Sequence, residues 1–118
     1  CYVNNFSLFN AIERMENMDQ LCENVRKWAE DKSLLFSFNA PHQMLKVMEE
    51  VGETAGAIAK NKEEEIKDGI GDSFVTLIIL AHQLGMTPQE CLNQAWNEIK
   101  NRTGKTVDGV FIKDDTDA

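Results

Sequence analysis

Apolar residues recur at intervals of three and four along most of the chain, a spacing typical of amphipathic helices. Leu21, Val25, Trp28 and Ala29 form one such stripe. Five helices are therefore predicted, over about residues 7–17, 19–33, 41–61, 63–84 and 88–102. Between residues 74 and 81 the fourth predicted helix is apolar on nearly every side. We expect that segment to be buried, because a helix with no polar face has none to present to water.

Residues with known terminal preferences mark several helix boundaries. Pro41 suits the first turn of the third predicted helix. Gly85 is a favoured C-terminal cap for the fourth. Thr87, Pro88 and Glu90 then form a capping-box pattern, with proline at the first helical position, which predicts the start of the fifth helix.

The predicted fold class is all-α. Residues 105–118 show no alternating strand pattern and are expected to be irregular. We predict a single helical domain over residues 1–113 and a mobile acidic tail over residues 114–118. A short connection near Lys62 favours antiparallel packing of the third and fourth helices, as in a four-helix bundle. Four short neighbours cannot cover an all-apolar helix, so we expect oligomerisation, as a homodimer or homotetramer, to complete the bundle.

Composition narrows the possible partners. Lys and Arg number 12 against 20 Asp and Glu, a net charge of −8 that argues against nucleic-acid binding. No apolar run reaches the roughly 18 residues of a membrane span. The N-terminal residues lack the features of a signal peptide, so none is expected. The three cysteines show no metal-type spacing and are expected to be reduced thiols in a cytoplasmic protein.

Acidic residues are concentrated in the third predicted helix. Glu49, Glu50 and Glu53 lie within about 100° of arc on the helix surface. A solvated acidic face is one interpretation of this cluster. Gly52 and Gly56 lie beside the acids although glycine costs about 1 kcal/mol in a helix interior. These small residues suggest that another helix approaches closely there.

A second acidic cluster lies in the fourth predicted helix. Asp68 and Asp72 are four residues apart and therefore share a face. Asp72 is expected where the helix enters the interior, and a buried carboxylate must be protonated, paired with a base or bound to a metal. The three glutamates on the preceding helix favour the metal. Mg²⁺ is the leading candidate because it prefers oxygen ligands and bridges proteins to phosphates, and Mn²⁺ is a possible substitute.

The two acidic motifs carry a resemblance to a known family. The pattern Glu49-Glu50-Val51-Gly52-Glu53, then Gly71-Asp72 at the start of an apolar helix, then Ile99-Lys100-Asn101-Arg102, resembles the MazG-like, all-α nucleoside triphosphate pyrophosphatases. The resemblance covers about residues 41–113. It implies hydrolysis of a nucleoside triphosphate, with a deoxynucleotide favoured, between its α and β phosphates to a monophosphate and pyrophosphate. It also implies sites assembled from two or more subunits.

The resemblance assigns metal-binding roles to particular acids. The family's first motif, ExxE, falls on Glu50 and Glu53, and its second, ExxD, ends on Asp72. The first acid of the second motif is missing, because this chain has Gly69 at that position. Asp68 precedes it and faces the same way as Asp72, so we expect Asp68 to be the substitute ligand.

The remaining roles follow from charge. Glu49 is the spare acid, and either it or a metal-held carboxylate is the candidate for polarising the attacking water. Two or three Mg²⁺ ions are expected to clamp the triphosphate. Basic and amide side chains near the end of the fifth helix are the candidates for contacting the substrate: Asn97, Lys100, Asn101, Arg102 and Lys105. The cations among them would also favour the helix dipole without any substrate.

Alternatives remain within and outside the enzyme class. The superfamily also includes dUTP and phosphoribosyl-ATP hydrolases, which would share the metal site and differ in the base pocket. Outside the enzyme class, the chain would be a helical assembly module with solvated acidic faces. Trp28 and Trp96 suit base stacking, but tryptophans on helical stripes are more often part of the core.

Overall fold

The computed structural model describes residues 15–114. The chain divides into two compact units, one ending at Pro88 and the other beginning at Gln89. The helices are α1 (Met18–Asp31), α2 (Ala40–Ala59), α3 (Glu63–Gln83) and α4 (Pro88–Ile99), with a 3₁₀ turn at Ser37–Asn39. The strands are β1 (Gly104–Val107) and β2 (Val110–Lys113). The described chain is mostly helical, which confirms the predicted class.

The α2–α3 hairpin is the centre of the first unit. Gln43 of α2 donates from its Nε2 to the Thr76 carbonyl of α3, 3.1 Å away, and Thr54 lies against Gly69. Because later residues of α2 meet earlier residues of α3, the two helices are antiparallel, as predicted. Asn61, with φ of 55°, makes the tight turn between them.

Helix α1 packs on α3 and begins at a side-chain cap. The Asn17 Oδ1 accepts a hydrogen bond of 2.8 Å from the Gln20 backbone N–H. The helix predicted over residues 7–17 lies largely outside the described residues, and its described part, residues 15–17, is not helical. An asparagine cap explains that boundary, since its side chain takes up an N–H that has no partner within the helix.

Within residues 15–88, the core of the first unit is small. Its buried apolar residues are Cys22, Ala29, Ala40, Val47, Ala57, Ile78, Ile79 and Ala81. Phe74 and Leu77, in the segment of α3 expected to be buried all round, are instead about half exposed in this chain. Helices α1 and α2 cover only part of the α3 surface, so the apolar side chains on its remaining face stay uncovered within the chain.

The second unit corrects one prediction. Residues 105–113, expected to be irregular, form most of an antiparallel β-hairpin, in which Lys105 pairs with Ile112. Asp108 and Gly109 both have positive φ, of 51° and 78°, as a two-residue hairpin turn requires. The Asp-Gly pair between Val107 and Val110 was therefore a hairpin signal present in the sequence.

The beginning of the predicted mobile tail is held by hydrogen bonds. Asp114 donates its backbone N–H to the Thr103 carbonyl at 3.0 Å and accepts from the Thr103 hydroxyl at 2.8 Å. Residues 115–118 lie outside the described residues. The prediction of one domain over residues 1–113 stays a prediction.

No single helix within residues 15–114 is long and apolar enough to cross a membrane. Helices α3 and α4 satisfy the length and composition criteria only when they are taken together as a bent pair.

Candidate active site

The α2–α3 hairpin brings carboxylates from both acidic clusters into one cleft. This acidic cleft, of about 370 Å³, is lined by Glu53, Glu65, Asp68 and Asp72, and also by Lys60. Glu53 comes from α2 and the other three acids from α3. The prediction that a folded hairpin would gather the two clusters is therefore confirmed for Glu53, Asp68 and Asp72.

A second and larger cleft adjoins the first. It has a volume of about 600 Å³, and its walls include Trp28, Gln43, Glu50 and Gln83. We call it the Trp28 cleft. Asp72 lines both clefts, so the carboxylate at the end of the second acidic motif lies where they meet.

Glu50 is the most enclosed of the four predicted ligands, because the other three are exposed. Its side chain is 13% exposed, and its pKa is raised, first by burial and then by the nearby carboxylates of Glu53 and Asp72. Lys46, whose Nζ lies 3.9 Å from the Glu50 Oε1, opposes that shift. The excess of negative charge around Glu50 is the electrostatic feature expected of a cation site.

Glu49 lies apart from this group. Its side chain is about half exposed, and its Oε2 is 3.3 Å from the Lys46 Nζ, which donates a hydrogen bond to it. That hydrogen bond is the largest contribution to a raised pKa for Lys46. Glu49 lines neither of the two clefts.

Asp72 is exposed in the described chain, which corrects the expectation that it is buried. The cost of a buried charge therefore does not argue for a metal at this residue. Acids from two helices still crowd around Asp72, and their mutual repulsion destabilises the fold unless a cation or solvent offsets it.

Gly69 marks the closest approach of the two helices. It is buried, and a Cβ at this position would lie 3.2 Å from the Thr54 Cβ and 3.3 Å from the Thr54 Cα. The family's usual acid at this position would therefore collide with α2. The glycine is part of the packing of this hairpin, and Asp68 lies one residue away in the acidic cleft.

Gly52 and Gly56 were expected to mark that close approach, and this expectation was wrong within the described chain. A Cβ at either residue would have no heavy atom within 4 Å. Gly56 lines the acidic cleft instead. Sequence spacing alone did not distinguish a glycine at a helix contact from one beside an open cleft.

The donor chemistry of the site fits Mg²⁺, because carboxylate oxygens are the ligands that a hard cation prefers. The geometry of a complete ligand set is not formed in a single chain. Within residues 15–114 no three acidic, histidine or cysteine side chains are arranged to hold an ion. Glu50, Glu53, Asp68 and Asp72 would thus supply a metal with part of its coordination shell, and phosphate oxygens, water or a second chain would supply the rest.

The predicted substrate-contacting residues lie in the second unit. All five are exposed: Asn97, Lys100, Asn101, Arg102 and Lys105. Lys100 and Arg102 follow the end of α4, and Lys105 is in β1. Their contact with the substrate stays a prediction.

Sequence reasoning missed several residues of the two clefts. Glu65 lies three residues before Asp68 and so shares its helix face, a signal that was available in the sequence. Gln43 and Gln83 are far apart along the chain and had no motif to mark them. Trp28, expected in the core, is 52% exposed and lies in a cleft wall. Trp96, also expected in the core, is 55% exposed.

Comparison with known proteins identifies a family. The model of the MazG nucleotide pyrophosphohydrolase domain matches residues 39–107. An uncharacterised 18.2 kDa protein of the rep–hol intergenic region of Haemophilus phage HP1 (strain HP1c1) is 46% identical over 69 residues. That match covers 58% of this chain and 42% of the phage protein, so the similar segment is less than half of that relative. No solved structure matches.

Proposed function

Since the chain belongs to the MazG nucleotide pyrophosphohydrolase domain family, we propose that it hydrolyses nucleoside triphosphates to nucleoside monophosphates and pyrophosphate. We infer a deoxynucleoside triphosphate as the favoured substrate. The observation that carries the proposal is the position of Asp72, which lines both the acidic cleft and the Trp28 cleft. A nucleotide has a highly charged part and a nearly neutral part; the acidic cleft would take the triphosphate through a bridging cation, and the adjoining Trp28 cleft would take the neutral part.

The proposed metal ligands are Glu50, Glu53, Asp68 and Asp72. Three of them line the acidic cleft, and Glu50 lines the adjoining one. When bound, Mg²⁺ supplies the positive charge that a triphosphate requires and acidifies water in its coordination shell. Without such a cation these carboxylates would repel the substrate, so we propose that turnover requires a divalent metal, with Mn²⁺ as a substitute.

The chemistry is attack of water on the α-phosphorus. A bond forms between the water oxygen and phosphorus, the bridging bond to the β-phosphate breaks, and pyrophosphate leaves with the electron pair. The water must lose a proton, and Glu49 is our candidate base. Its carboxylate is exposed and adjacent in sequence to Glu50, and the Lys46 that contacts it also lies near Glu50.

Basic and amide residues of the second unit are the proposed contacts to the triphosphate. Lys100, Arg102 and Lys105 would neutralise phosphate oxygens, and Asn97 and Asn101 would donate hydrogen bonds to them. All five side chains are exposed and therefore accessible to a ligand.

We propose a homodimer or homotetramer as the active assembly. The α2–α3 hairpin exposes apolar side chains of both helices around a shallow cleft of about 410 Å³, including Val51, Ile58, Ile70, Phe74 and Leu77. A contiguous group of exposed apolar side chains on two helices is typical of an association surface. A second chain on this surface would bury α3 as the sequence predicts.

The test is incubation of the purified chain with each nucleoside and deoxynucleoside triphosphate, with and without Mg²⁺, followed by ³¹P NMR. Pyrophosphate and monophosphate, formed only with metal, are the expected products. Orthophosphate and diphosphate would show that a different bond is cleaved. A substrate panel including dUTP and phosphoribosyl-ATP separates the alternatives within the enzyme class.

A helical assembly module without catalysis is the second candidate function, and the exposed apolar surface of the hairpin favours it. In that case no nucleotide is turned over, and the melting temperature does not respond to Mg²⁺ with nucleotide. The enzyme proposal predicts that both together raise the melting temperature.

A further inference from the structure

The acidic cleft contains a basic residue to which the proposed chemistry gives no role. Within residues 15–114, Lys60 is the single cationic side chain that lines this cleft, together with its four acids: Glu53, Glu65, Asp68 and Asp72. Lys60 can attract an anion directly, whereas the acids hold an anion only through a cation.

The Lys60 ammonium is not engaged by the acids around it. In the part of the chain that the structure describes, no ion pair joins Lys60 to a carboxylate, whereas the nearby Lys62 Nζ lies 3.7 Å from the Glu65 Oε1. The Lys60 backbone is held in place, because its N–H donates a 3.1 Å hydrogen bond to the Gly56 carbonyl. An ammonium has three donors and no acceptor, so Lys60 suits a ligand that is rich in acceptors, as a phosphate is.

Lys60 lies at the end of the acidic cleft farther from Asp72. Glu53 and Lys60 are seven residues apart on one face of α2, a rise of about 10 Å along the helix. The charges of Glu53 and Asp72 both act on Glu50, so these residues share one end of the cleft. Lys60 directly precedes Asn61 in the turn between the two antiparallel helices. A polyphosphate that enters the cleft at Asp72 would therefore extend toward Lys60.

The cleft between these two ends is lined by small residues. Gly56, Ala57 and Gly69 contribute to its lining, and Ala57 and Gly69 are buried. A Cβ at Gly56 would meet no heavy atom within 4 Å. The lining therefore leaves space for phosphate groups between Asp72 and Lys60.

We propose that Lys60 binds the terminal phosphate of the substrate and thereby selects triphosphates over diphosphates. The proposal rests on the nucleotide-directed function proposed above. With the α-phosphate near Asp72, where the two clefts meet, the γ-phosphate lies two bridging oxygens farther along the acidic cleft. A diphosphate ends one phosphate earlier, and we expect it not to reach Lys60. The same ammonium would contact the pyrophosphate before it leaves.

The experiment is a calorimetric titration of the parent chain and of Lys60→Gln in the presence of Mg²⁺. The ligands are the α,β-methylene analogues of the four deoxynucleoside triphosphates and of the matching diphosphates, which cannot be cleaved between the α and β phosphates. For the base that binds most tightly, Lys60→Gln should weaken triphosphate binding about tenfold or more, as expected for loss of one charge-assisted hydrogen bond. Diphosphate binding should change less than about twofold, within the additivity of independent contacts. Lys60→Arg should keep the preference for the triphosphate, because a guanidinium also binds phosphate.

Lys62→Gln is the matched control. It removes the same charge two residues away, but Lys62 is exposed and does not line the acidic cleft. Its preference for the triphosphate should equal that of the parent chain. Lys60 is also exposed, so Lys60→Gln is expected to leave the fold intact, which circular dichroism measures.

Three results would overturn the proposal. Equal weakening of triphosphate and diphosphate binding in Lys60→Gln would show that Lys60 only offsets the charge of the acids. An equal loss of preference in Lys62→Gln would show a general effect of charge. An unchanged preference in Lys60→Gln would show that Lys60 does not contact the terminal phosphate.

Inorganic pyrophosphate separates this inference from the proposed function, because it binds without being a nucleotide. Mg²⁺-dependent binding of pyrophosphate that Lys60→Gln weakens about tenfold, in a chain that hydrolyses no nucleotide, would keep the phosphate contact and remove the activity. Hydrolysis of triphosphates with an unchanged preference in Lys60→Gln would keep the activity and remove the contact. Binding of neither pyrophosphate nor the triphosphate analogues by the parent chain would overturn the proposal.

Discussion

Gly69 of α3 lies directly against Thr54 of α2, at a distance that leaves little room for any side chain. A Cβ on residue 69 would lie 3.3 Å from the Thr54 Cα and would collide with the Thr54 hydroxyl, which donates a 2.8 Å hydrogen bond to the Glu50 carbonyl. This contact sets the separation of the two helices that carry the acidic residues. It also leaves no space for an acidic side chain at this position of the second motif.

Gly69→Ala is expected to destabilise the chain by about 1–3 kcal/mol, because overpacking outweighs the roughly 1 kcal/mol that alanine gains over glycine in a helix. Gly71→Ala is the matched control, since a Cβ there meets no atom within 4 Å. It is expected to be stabilising by about 0.5–1 kcal/mol. Urea unfolding measures both values. Similar stabilisation by the two substitutions would show that the helices separate easily at Thr54.

Asp72→Asn is expected to reduce turnover at least 100-fold while leaving the fold intact. Asp72 lies at the meeting point of the two clefts and is exposed, so its carboxylate is available to a metal and its replacement leaves no cavity. Loss of a metal ligand should cost at least as much as loss of a residue that supports one, about 10–100-fold. Steady-state kinetics and circular dichroism provide the two measurements. Retained activity would remove Asp72 from the metal site.

Asp68 and Glu65 allow a comparison within the acidic cleft. Both line it from α3, but the sequence assigns the substitute ligand role to Asp68 alone. Asp68→Asn should raise the Mg²⁺ concentration needed for half-maximal activity about tenfold or more. Glu65→Gln, whose parent carboxylate is exposed and 3.7 Å from Lys62, should change it less than twofold. The opposite order would make Glu65 the ligand.

The raised pKa of Glu50 predicts how the stability of the metal-free chain depends on pH. Burial and the Glu53 and Asp72 carboxylates raise its pKa, so the folded state binds this proton more tightly than the unfolded state. Ionised Glu50 therefore opposes folding at neutral pH, and the penalty disappears as pH falls through the raised pKa. Glu50→Gln should raise the melting temperature in EDTA at neutral pH, and the gain should shrink as the pH falls through the raised pKa.

Glu49→Gln is the control for that measurement. Glu49 is about half exposed and contacts Lys46 at 3.3 Å, so removing its charge relieves no enclosed repulsion and loses an attraction. Its melting temperature should not rise. An equal rise in both variants would instead reflect the general relief of the net charge of −8.

Phe74→Asp tests the proposed association surface. Phe74 is 53% exposed beside Leu77 and Ile70, so an aspartate there is tolerated in a single chain but disfavoured in an apolar interface. Light scattering should show a homodimer or homotetramer for the parent chain and monomers for the variant. A monomeric parent chain at micromolar concentration would contradict the proposed assembly.

The prediction of the helices from the sequence worked where local rules dominate. Pro41 lies in the first turn of α2, and Gly85, with φ of 74°, follows the end of α3, as expected from their backbone preferences. The hairpin after Gly104 was missed although Asp108-Gly109 is a strong local signal, because short strands with few alternating positions are easily read as loop. The periodicity of each strand also does not show which side chains face each other across the hairpin.

The sequence by itself determined most of the helices, the antiparallel turn near Lys62 and the presence of two acidic clusters, whose role as metal ligands stays a prediction. Those features depend on the chemistry and spacing of residues close together along the chain. The tertiary structure decided that Gly69, and neither Gly52 nor Gly56, lies at the helix contact. It also decided that Asp72 is exposed and joins two clefts. Such relationships depend on how two helices are rotated and spaced against each other, which packing sets and local sequence does not.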